Sequence, residues 1–224
     1  MANKIIGKEA VMENRKSGPG TKPPEARIRA RNEAKILKAA VNLFATKGFD
    51  GTHIKEIALL SGLPKTNVYY YFPSKEKIYI TLIERLIDRW DQAFEHIVVE
   101  REPREAIAAY VRAKIDYSRQ NSVESRFFAS EVLRGGNFLT KRHRSHMREV
   151  TENRAHVVEE WIRQKKIAPI NVRHFFILLW SSTEFYADFE FIAADALQKK
   201  SLLKADYNDA AETIIQIVLN GIIR

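Results

Sequence analysis

Apolar residues recur along the chain at three- and four-residue spacings, which place them on one face of an α-helix. The first stripe begins at Ile28 and is clearest at Ile36, Leu37, Ala40, Val41 and Phe44. Lys47 and Gly48 follow, a cation and then a glycine, which is the order typical of the C-terminal end of a helix. The pattern therefore predicts a helix that starts near Ile28 and ends at Lys47.

Two much shorter helices are expected next. Thr52 is placed to cap a helix that ends at Gly62. Pro64 suits the first turn of the following helix, where its missing N–H costs nothing. That helix is expected over residues 65–71, because the Phe72-Pro73 pair disfavours its continuation.

Longer stripes follow from Ser74, which has the side chain of a helix N-cap. The spacing predicts a helix that reaches Ile97, with its apolar positions at Ile78, Leu82, Leu86, Trp90, Phe94 and Ile97. Further helices are expected from Pro103 and over residues 123–134, 138–165, 171–194 and 207–222. Since no alternating pattern of useful length is present, we predict an all-α chain, a three-helix head followed by a bundle of about six helices.

Positive charge is concentrated in the first third of the chain. Residues 1–73 hold 13 Lys and Arg against 6 Asp and Glu, whereas residues 74–224 hold 24 against 22. This asymmetry indicates that only the first part meets a polyanion, although a solvated basic tail would give the same count. We expect a mobile basic arm over residues 1–26, because it is polar and rich in Gly and Pro. A head over 27–73 and a body over 74–224 complete the predicted organisation.

Composition excludes several classes of protein. The chain is 45% apolar and has no apolar run near the roughly 20 residues that span a bilayer, so we expect no membrane partner. The N-terminus lacks the apolar core of a secretory signal. Because cysteine is absent, disulfide scaffolds, thiolate metal sites and cysteine nucleophiles are excluded, and a reducing, cytoplasmic location is favoured.

No motif of the chain points to catalysis. There is no Gly-rich phosphate loop and no nucleophile elbow, and we expect no cofactor. His143 and His146 have the spacing of metal ligands on a helix, but the neighbouring Lys141, Arg142 and Arg144 oppose a metal cation.

Residues 36–71 have the layout of a helix-turn-helix. Gly62 permits the tight bend before the last helix, since it has no Cβ. That helix offers phosphate donors and an amide that can pair with an adenine edge, namely Lys65, Thr66, Asn67, Tyr70 and Tyr71. Tyr69 is expected to pack inward, because its spacing places it beside Leu63 and Phe72. Double-stranded DNA is the expected partner.

These residues form the motif Thr52-x4-Ile57-Ala58-x3-Gly62-Leu63-x5-Tyr69-Tyr70-Tyr71-Phe72-x2-Lys75, which resembles the DNA-binding signature of the TetR family of bacterial repressors. The resemblance covers residues 34–80 and implies a homodimer on a pseudo-palindromic operator, with the third helix in the major groove. It makes 27–73 a DNA-binding domain and 74–224 a ligand-binding and dimerisation domain. By position it implies DNA-backbone contacts from Thr52, Lys65, Tyr70, Tyr71 and Lys75. It implies base-edge contacts from Thr66 and Asn67, and His53 is open to either role.

Segments of the body resemble the branch of that family that regulates pyrimidine utilisation. The resemblance rests on residues 69–76, 166–171 and 180–189, and it implies a nucleobase effector such as uracil or thymine. That branch has Gln-His where this chain has Glu184-Phe185. An amide both donates and accepts, whereas an ionised carboxylate only accepts. A different small-molecule effector, apolar or cationic, is therefore an alternative.

The expected effector site lies on aromatic faces of the body helices. Its candidate residues are Trp90, Phe94, Phe128, Trp180, Glu184 and Asp188. The last three share a helix face at four-residue spacing, although aromatic residues at that spacing are also typical of a core. An inward-facing Glu184 needs a partner, a raised pKa or a cationic ligand, whereas an outward-facing one needs none.

Two apolar segments, 171–192 and 207–222, hold more apolar residues than one bundle core needs. The surplus predicts a four-helix interface with a second copy, although a simple amphipathic helix gives a similar pattern. We therefore predict a ligand-responsive repressor that binds DNA as a homodimer. An architectural DNA binder and a helical enzyme or small-molecule carrier are the alternatives.

Overall fold

The computed structural model describes residues 24–223, and helices dominate that range. In chain order they are α1 (Pro24–Lys47), α2 (Ile54–Ser61), α3 (Lys65–Tyr71), α4 (Lys75–Phe94), α5 (Pro103–Gln120), α6 (Ser122–Leu133), α7 (Lys141–Arg163), α8 (Val172–Asp188), α9 (Glu190–Ala196) and α10 (Lys204–Ile222). The prediction of an all-α chain is confirmed. Within residues 24–223 the one extended pairing is an isolated bridge between Ile167 and Ile223.

Several predicted boundaries differ from the structure, since α7 begins at Lys141 instead of 138 and α10 begins at Lys204 instead of 207. Helix α1 begins at Pro24, so residues 24–26 of the predicted arm are helical, while residues 1–23 lie outside the described residues. The first turns of α1 are exposed and have no periodic apolar positions, so the apolar pattern could not predict that they are helical. Helix α4 ends at Phe94, although Ile97 is still buried in the turn that follows. The segment 171–194 is broken at Phe189 into α8 and α9.

The head is built from α1, α2, α3 and the first turns of α4. Its core is a cluster of fully buried side chains that includes Ile36, Ile57 and Val68. The cluster extends along α4 to Ile87 and takes in Phe127 of α6. The head and the body therefore share a packed interface, and the boundary between residues 73 and 74 remains a prediction.

The body surrounds α5, which packs against α4, α6, α8 and α10. Its core contains Phe94, Tyr110, Trp161 and Phe176, all of them buried. This arrangement is a helical bundle around a shared apolar core. Among the described residues, no helix combines the length and the apolar character needed to cross a bilayer.

Candidate DNA interface and effector cavity

Helix α3 is fixed to the head by its one buried side chain, Val68. Gly62 ends α2 in a left-handed conformation with φ of 68°, and the Leu63 N–H donates to the Ala58 carbonyl at 3.1 Å. The chain thus reverses within two residues and returns α3 across α2. The opposite side of α3 is left to solvent, with Lys65, Thr66, Asn67 and Tyr70 all exposed.

The inward packing predicted for Tyr69 is wrong. Its side chain is 45% exposed, because Val68 occupies the single inward position of this short helix. The ammonium of Lys65 lies 5.7 Å from the centre of the Tyr69 ring. Tyr69 therefore joins the exposed face and becomes a further candidate for contact with DNA.

Two residues expected to contact the DNA backbone are engaged inside the protein. Thr52 is fully buried and its hydroxyl donates to the Gly48 carbonyl at 2.8 Å, so it offers no group to a phosphate. Lys75 donates to the carbonyls of Phe49 and Thr52 at 2.7 and 2.9 Å, and its ammonium lies 4.2 Å from the Phe49 ring centre. Both expected contacts are corrected here: these side chains hold the loop between α1 and α2.

The N-cap of α2 is His53, and the prediction of Thr52 in that position is wrong. The Glu56 carboxylate accepts from the His53 N–H at 3.1 Å, which satisfies one free donor of the helix start. The side chain of His53 is exposed. It remains available for contact with DNA.

Tyr71 faces α1 more than solvent. It is half-buried, and its hydroxyl oxygen accepts from the Asn32 amide at 2.9 Å. The Arg29 guanidinium lies 5.9 Å from the centre of the Tyr71 ring. Arg29 of α1 thereby adjoins α3, an extension of the basic surface that the motif alone did not predict.

A cavity of about 1000 Å³ opens between α4, α5, α6, α7 and α8. Five of the six expected effector residues line it: Trp90, Phe94, Phe128, Trp180 and Glu184. Most of the exposed surface of its wall is apolar, with Tyr110, Met147 and Ile177 among the other lining residues, while charged residues of α7 and α8 such as Arg148 and Arg173 also line it. A mostly apolar concave site with a few polar groups is typical of small-molecule binding.

The cavity contains a partly buried ion pair. The Lys114 ammonium donates to Glu184 Oε1 at 2.5 Å, and the Lys114 side chain is only 3% exposed. The same ammonium lies 4.8 Å from the centre of the Trp90 ring, a cation–π distance. Glu184 therefore faces inward and has a partner. A cationic ligand is not needed to neutralise it.

Sequence reasoning missed Lys114 and Tyr110 as parts of this site. The Trp180 indole N–H donates to the Tyr110 hydroxyl at 2.9 Å, and burial raises the pKa of Tyr110, which keeps its hydroxyl protonated. A signal for Lys114 was present, since it is a charged residue inside the apolar stripe of α5. A buried lysine requires a partner, and that requirement points to a site.

Asp188 is the one expected effector residue outside the cavity lining, and that assignment is corrected. Although it lies one turn beyond Glu184, its carboxylate accepts from the Ser125 hydroxyl at 2.5 Å between α6 and α8. Burial raises the pKa of Asp188 above its ordinary value, while the Ser125 hydrogen bond opposes the shift. Asp188 therefore contributes to the packing of α6 against α8.

The two histidines with metal-ligand spacing have separate partners. Nε2 of His146 lies 2.6 Å from the Asp91 carboxylate, whereas Nδ1 of His143 accepts from the Thr140 N–H at 3.3 Å. Within residues 24–223, no three potential metal ligands come together.

Helix α6 connects the cavity with the head through adjacent residues. Phe127 packs in the head core against Phe44 of α1, with ring centres 6.2 Å apart. Phe128 lines the cavity and meets the Trp90 ring edge-on at 4.6 Å. A ligand that moves Phe128 therefore acts on the same helix that the head rests on.

Comparison with known proteins identifies the family of the chain. Residues 36–82 match the family model described as bacterial regulatory proteins, tetR family, and residues 83–224 match the model of the YcdC-like protein C-terminal region. The chain thus belongs to the TetR family of bacterial regulators. It is a helix-turn-helix transcriptional regulator.

Individual relatives support this membership. The HTH-type transcriptional regulator RutR of Escherichia coli K12 is 32% identical over 199 residues, covering 87% of this chain and 92% of RutR. The HTH-type transcriptional repressor NicS of Pseudomonas putida is 27% identical, covering 88% of this chain and 93% of NicS. The ketosteroid transcriptional regulator KstR2 of Mycobacterium tuberculosis superposes with a TM-score of 0.67 at 18% identity, covering 86% and 95% of the two chains. At that identity the likeness concerns the fold alone.

Proposed function

We propose that this regulator represses transcription as a homodimer on a pseudo-palindromic operator, and that a pyrimidine nucleobase in the cavity weakens DNA binding. The observation that carries the proposal is the exposed polar side of α3, anchored from behind by Val68. A helix fixed in this way can enter a major groove as a rigid unit. Its Lys65 and tyrosine hydroxyls suit phosphates, and its Asn67 amide suits an adenine edge.

The homodimer is supported by the outer surface of α8 and α10. Large apolar side chains are more than a third exposed there, including Leu178, Phe185, Phe189 and Ile217. An apolar surface of this kind is costly in water and favours burial against a second copy. The proposal requires a twofold axis through this surface that leaves both heads on one side of a duplex.

The pyrimidine effector is supported by the Lys114–Glu184 pair. The carboxylate lacks the donor of the amide that the pyrimidine branch has, but Lys114 places an N–H donor 2.5 Å from it. Together the pair presents a donor beside an acceptor, which matches the adjacent C=O and N–H of a uracil edge. The Trp90 and Trp180 rings of the cavity offer faces for stacking.

The size of the cavity supports a second candidate effector. A volume of about 1000 Å³ is at the upper end for small-molecule sites, and a single-ring base fills only part of it. The alternative is a longer apolar molecule that would also contact Met147 and Ile177. The neutralisation of Glu184 by Lys114 disfavours the cationic alternative.

The proposal is tested by fluorescence anisotropy on an operator duplex, with a shuffled duplex of equal length as competitor. We expect preference for the operator and loss of that complex when uracil or thymine is added. Glu184→Ala is expected to abolish the uracil response, whereas Glu184→Gln retains an acceptor and the response. Equal binding to both duplexes would indicate an architectural DNA binder. Release by a medium-chain acyl compound, with no effect of uracil, would favour the second effector.

A further inference from the structure

The first turns of α1 extend beyond the core of the head. The helix begins at Pro24, and Ile36 is its first residue in that core, so about 18 Å of helix comes before the core. Residues 25–31 are exposed, apart from the half-buried Ala26. The cations of this end outnumber its carboxylates, with Arg27, Arg29, Arg31 and Lys35 against Glu25 and Glu33. These turns are therefore a candidate surface for an anionic partner.

One of these arginines is held in place beside α3. The Arg29 Nε donates to Glu33 Oε1 at 2.8 Å, and the Arg29 guanidinium carbon lies 5.9 Å from the centre of the Tyr71 ring. Within residues 24–223 the two Nη groups of Arg29 form no hydrogen bond, and its side chain is 56% exposed. Arg29 thus has a fixed position and free donors that face solvent.

The hydroxyl of Tyr71 is fixed in a similar way. Tyr71 is the last residue of α3, and its oxygen accepts from the Asn32 amide at 2.9 Å. The Tyr71 O–H donates to no residue in the part of the chain that the structure describes. Asn32 and Arg29 are three residues apart on α1, so they are neighbours on its surface. A free hydroxyl donor and a free guanidinium edge therefore lie close together at the end of α3.

We propose that Arg29 and Tyr71 together hold one phosphate of the DNA backbone, beside the groove that α3 enters, and that Asn32 positions the Tyr71 hydroxyl for this contact. The inference rests on the proposed binding to DNA and adds α1 to the surface that contacts it. Both groups offer donors, because the Tyr71 oxygen already accepts from Asn32, and a phosphate offers acceptors. The planar guanidinium matches phosphate geometry, and a tyrosine hydroxyl is a common second donor.

The charge and the hydroxyl have different effects on DNA binding. Arg29→Gln should weaken binding about tenfold and flatten the slope of log affinity against log salt by about 0.9, the loss of one phosphate contact. Tyr71→Phe should weaken binding about threefold without changing the slope, because it removes a donor but no charge. Arg31→Gln is the matched control. Arg31 is also exposed, but it lies about 200° around α1 from Arg29, so the slope should stay at the wild-type value.

The positioning role of Asn32 is tested with Asn32→Leu, which keeps the size of the side chain and removes the amide donor. Asn32→Leu should weaken binding about threefold, and adding Tyr71→Phe to it should then cause little further loss. If Asn32 served only the stability of α1, Tyr71→Phe would still cost its full threefold in that background. The Arg29→Gln and Tyr71→Phe double variant should likewise lose less than the product of the two single losses, because both groups hold the same phosphate.

The measurement is fluorescence anisotropy of the full chain at several salt concentrations, on a duplex that the wild-type chain selects from a random pool and on a shuffled duplex. An unchanged slope in Arg29→Gln, or equal losses in Arg29→Gln and Arg31→Gln, would overturn the contact from Arg29. A full effect of Tyr71→Phe in the Asn32→Leu background would overturn the positioning. The shuffled duplex separates this inference from the proposed function. A wild type without preference for the selected duplex would refute the repressor, whereas a flattened slope for Arg29→Gln on the shuffled duplex would still support the phosphate contact.

Discussion

Lys114 and Glu184 lie 70 residues apart in sequence and 2.5 Å apart in the structure, where they join α5 to α8 inside the effector cavity. The pair explains how a carboxylate is tolerated in a cavity whose exposed surface is mostly apolar. Lys114 neutralises the charge and restores a donor next to the acceptor. The pair is thus both a packing element and part of the polar lining of the cavity.

Replacing Lys114 by methionine removes the charge and keeps much of the volume of the side chain. We expect the free energy of unfolding to fall by about 2 kcal/mol, because Glu184 loses its partner in a largely desolvated site. Urea unfolding at neutral pH measures the change. Arg112→Met breaks the exposed pair between Arg112 and Glu212, also made by α5, and should cost under about 0.5 kcal/mol. Equal losses in the two variants would contradict a buried role for Lys114.

Lys65→Ala removes a cation from the exposed face of α3. Affinity should fall for every duplex, and the slope of log affinity against log salt should flatten by about 0.9, the loss of one phosphate contact. Anisotropy titrations at several salt concentrations measure both quantities. Lys204→Ala, an exposed lysine at the start of α10, is the control and should leave the slope unchanged.

Asn67→Ala should affect specificity more than overall affinity. A lost base contact costs about 1–3 kcal/mol on the operator and little on random duplex, because only the operator presents the matching base edge. The ratio of the two affinities measures this effect. A uniform loss on both duplexes would place Asn67 at the phosphates instead.

Lys75→Met tests the correction made for Lys75. Its ammonium donates to two loop carbonyls, so the variant should lose about 1.5 kcal/mol of stability through two charge-assisted hydrogen bonds left unmade. Thermal unfolding reports the loss, and the salt slope of DNA binding should stay at the wild-type value. A flattened slope with unchanged stability would instead identify a phosphate contact.

Asp188→Asn should stabilise the protein at neutral pH. Burial raises the pKa of the Asp188 carboxyl, so the folded state favours the protonated form, and its contribution to stability falls as pH rises above about 4. The free energy of unfolding of the variant should therefore be larger than that of wild type at pH 7, and the two values should become equal at about pH 3. Asp209→Asn, at an exposed aspartate of α10, should show no such pH-dependent difference. A variant less stable than wild type at pH 7 would contradict the account.

Local patterns were enough for much of the fold. The turn at Gly62, the N-cap at Ser74 and the start at Pro103 are encoded in single residues with strong backbone preferences, and all three are found as predicted. The aromatic residues that α4 contributes to the cavity could be predicted for a similar reason, since the apolar stripe of α4 places Trp90 and Phe94 on one side of the helix.

The errors arose where a tertiary contact decides the outcome. Tyr69 and Val68 compete for one inward position, and only the packing of α3 onto the head core selects Val68. Thr52 has the side chain of an N-cap, but its hydroxyl donates a hydrogen bond to the Gly48 carbonyl instead of capping α2. The partner of Glu184 comes from α5, which no spacing within α8 could reveal. Such pairings depend on helix arrangement in three dimensions.

The central claim is that the exposed side of α3 enters the major groove in two copies related by a twofold axis. Because the chain has no cysteine, Thr66→Cys provides a unique attachment point for an iron chelate that cleaves nearby DNA. We expect two symmetric clusters of cleavage on the operator, centred about 10 base pairs apart. Lys200→Cys, on the body, should give none. Absent cleavage from position 66, or a single unpaired cluster, would contradict the account.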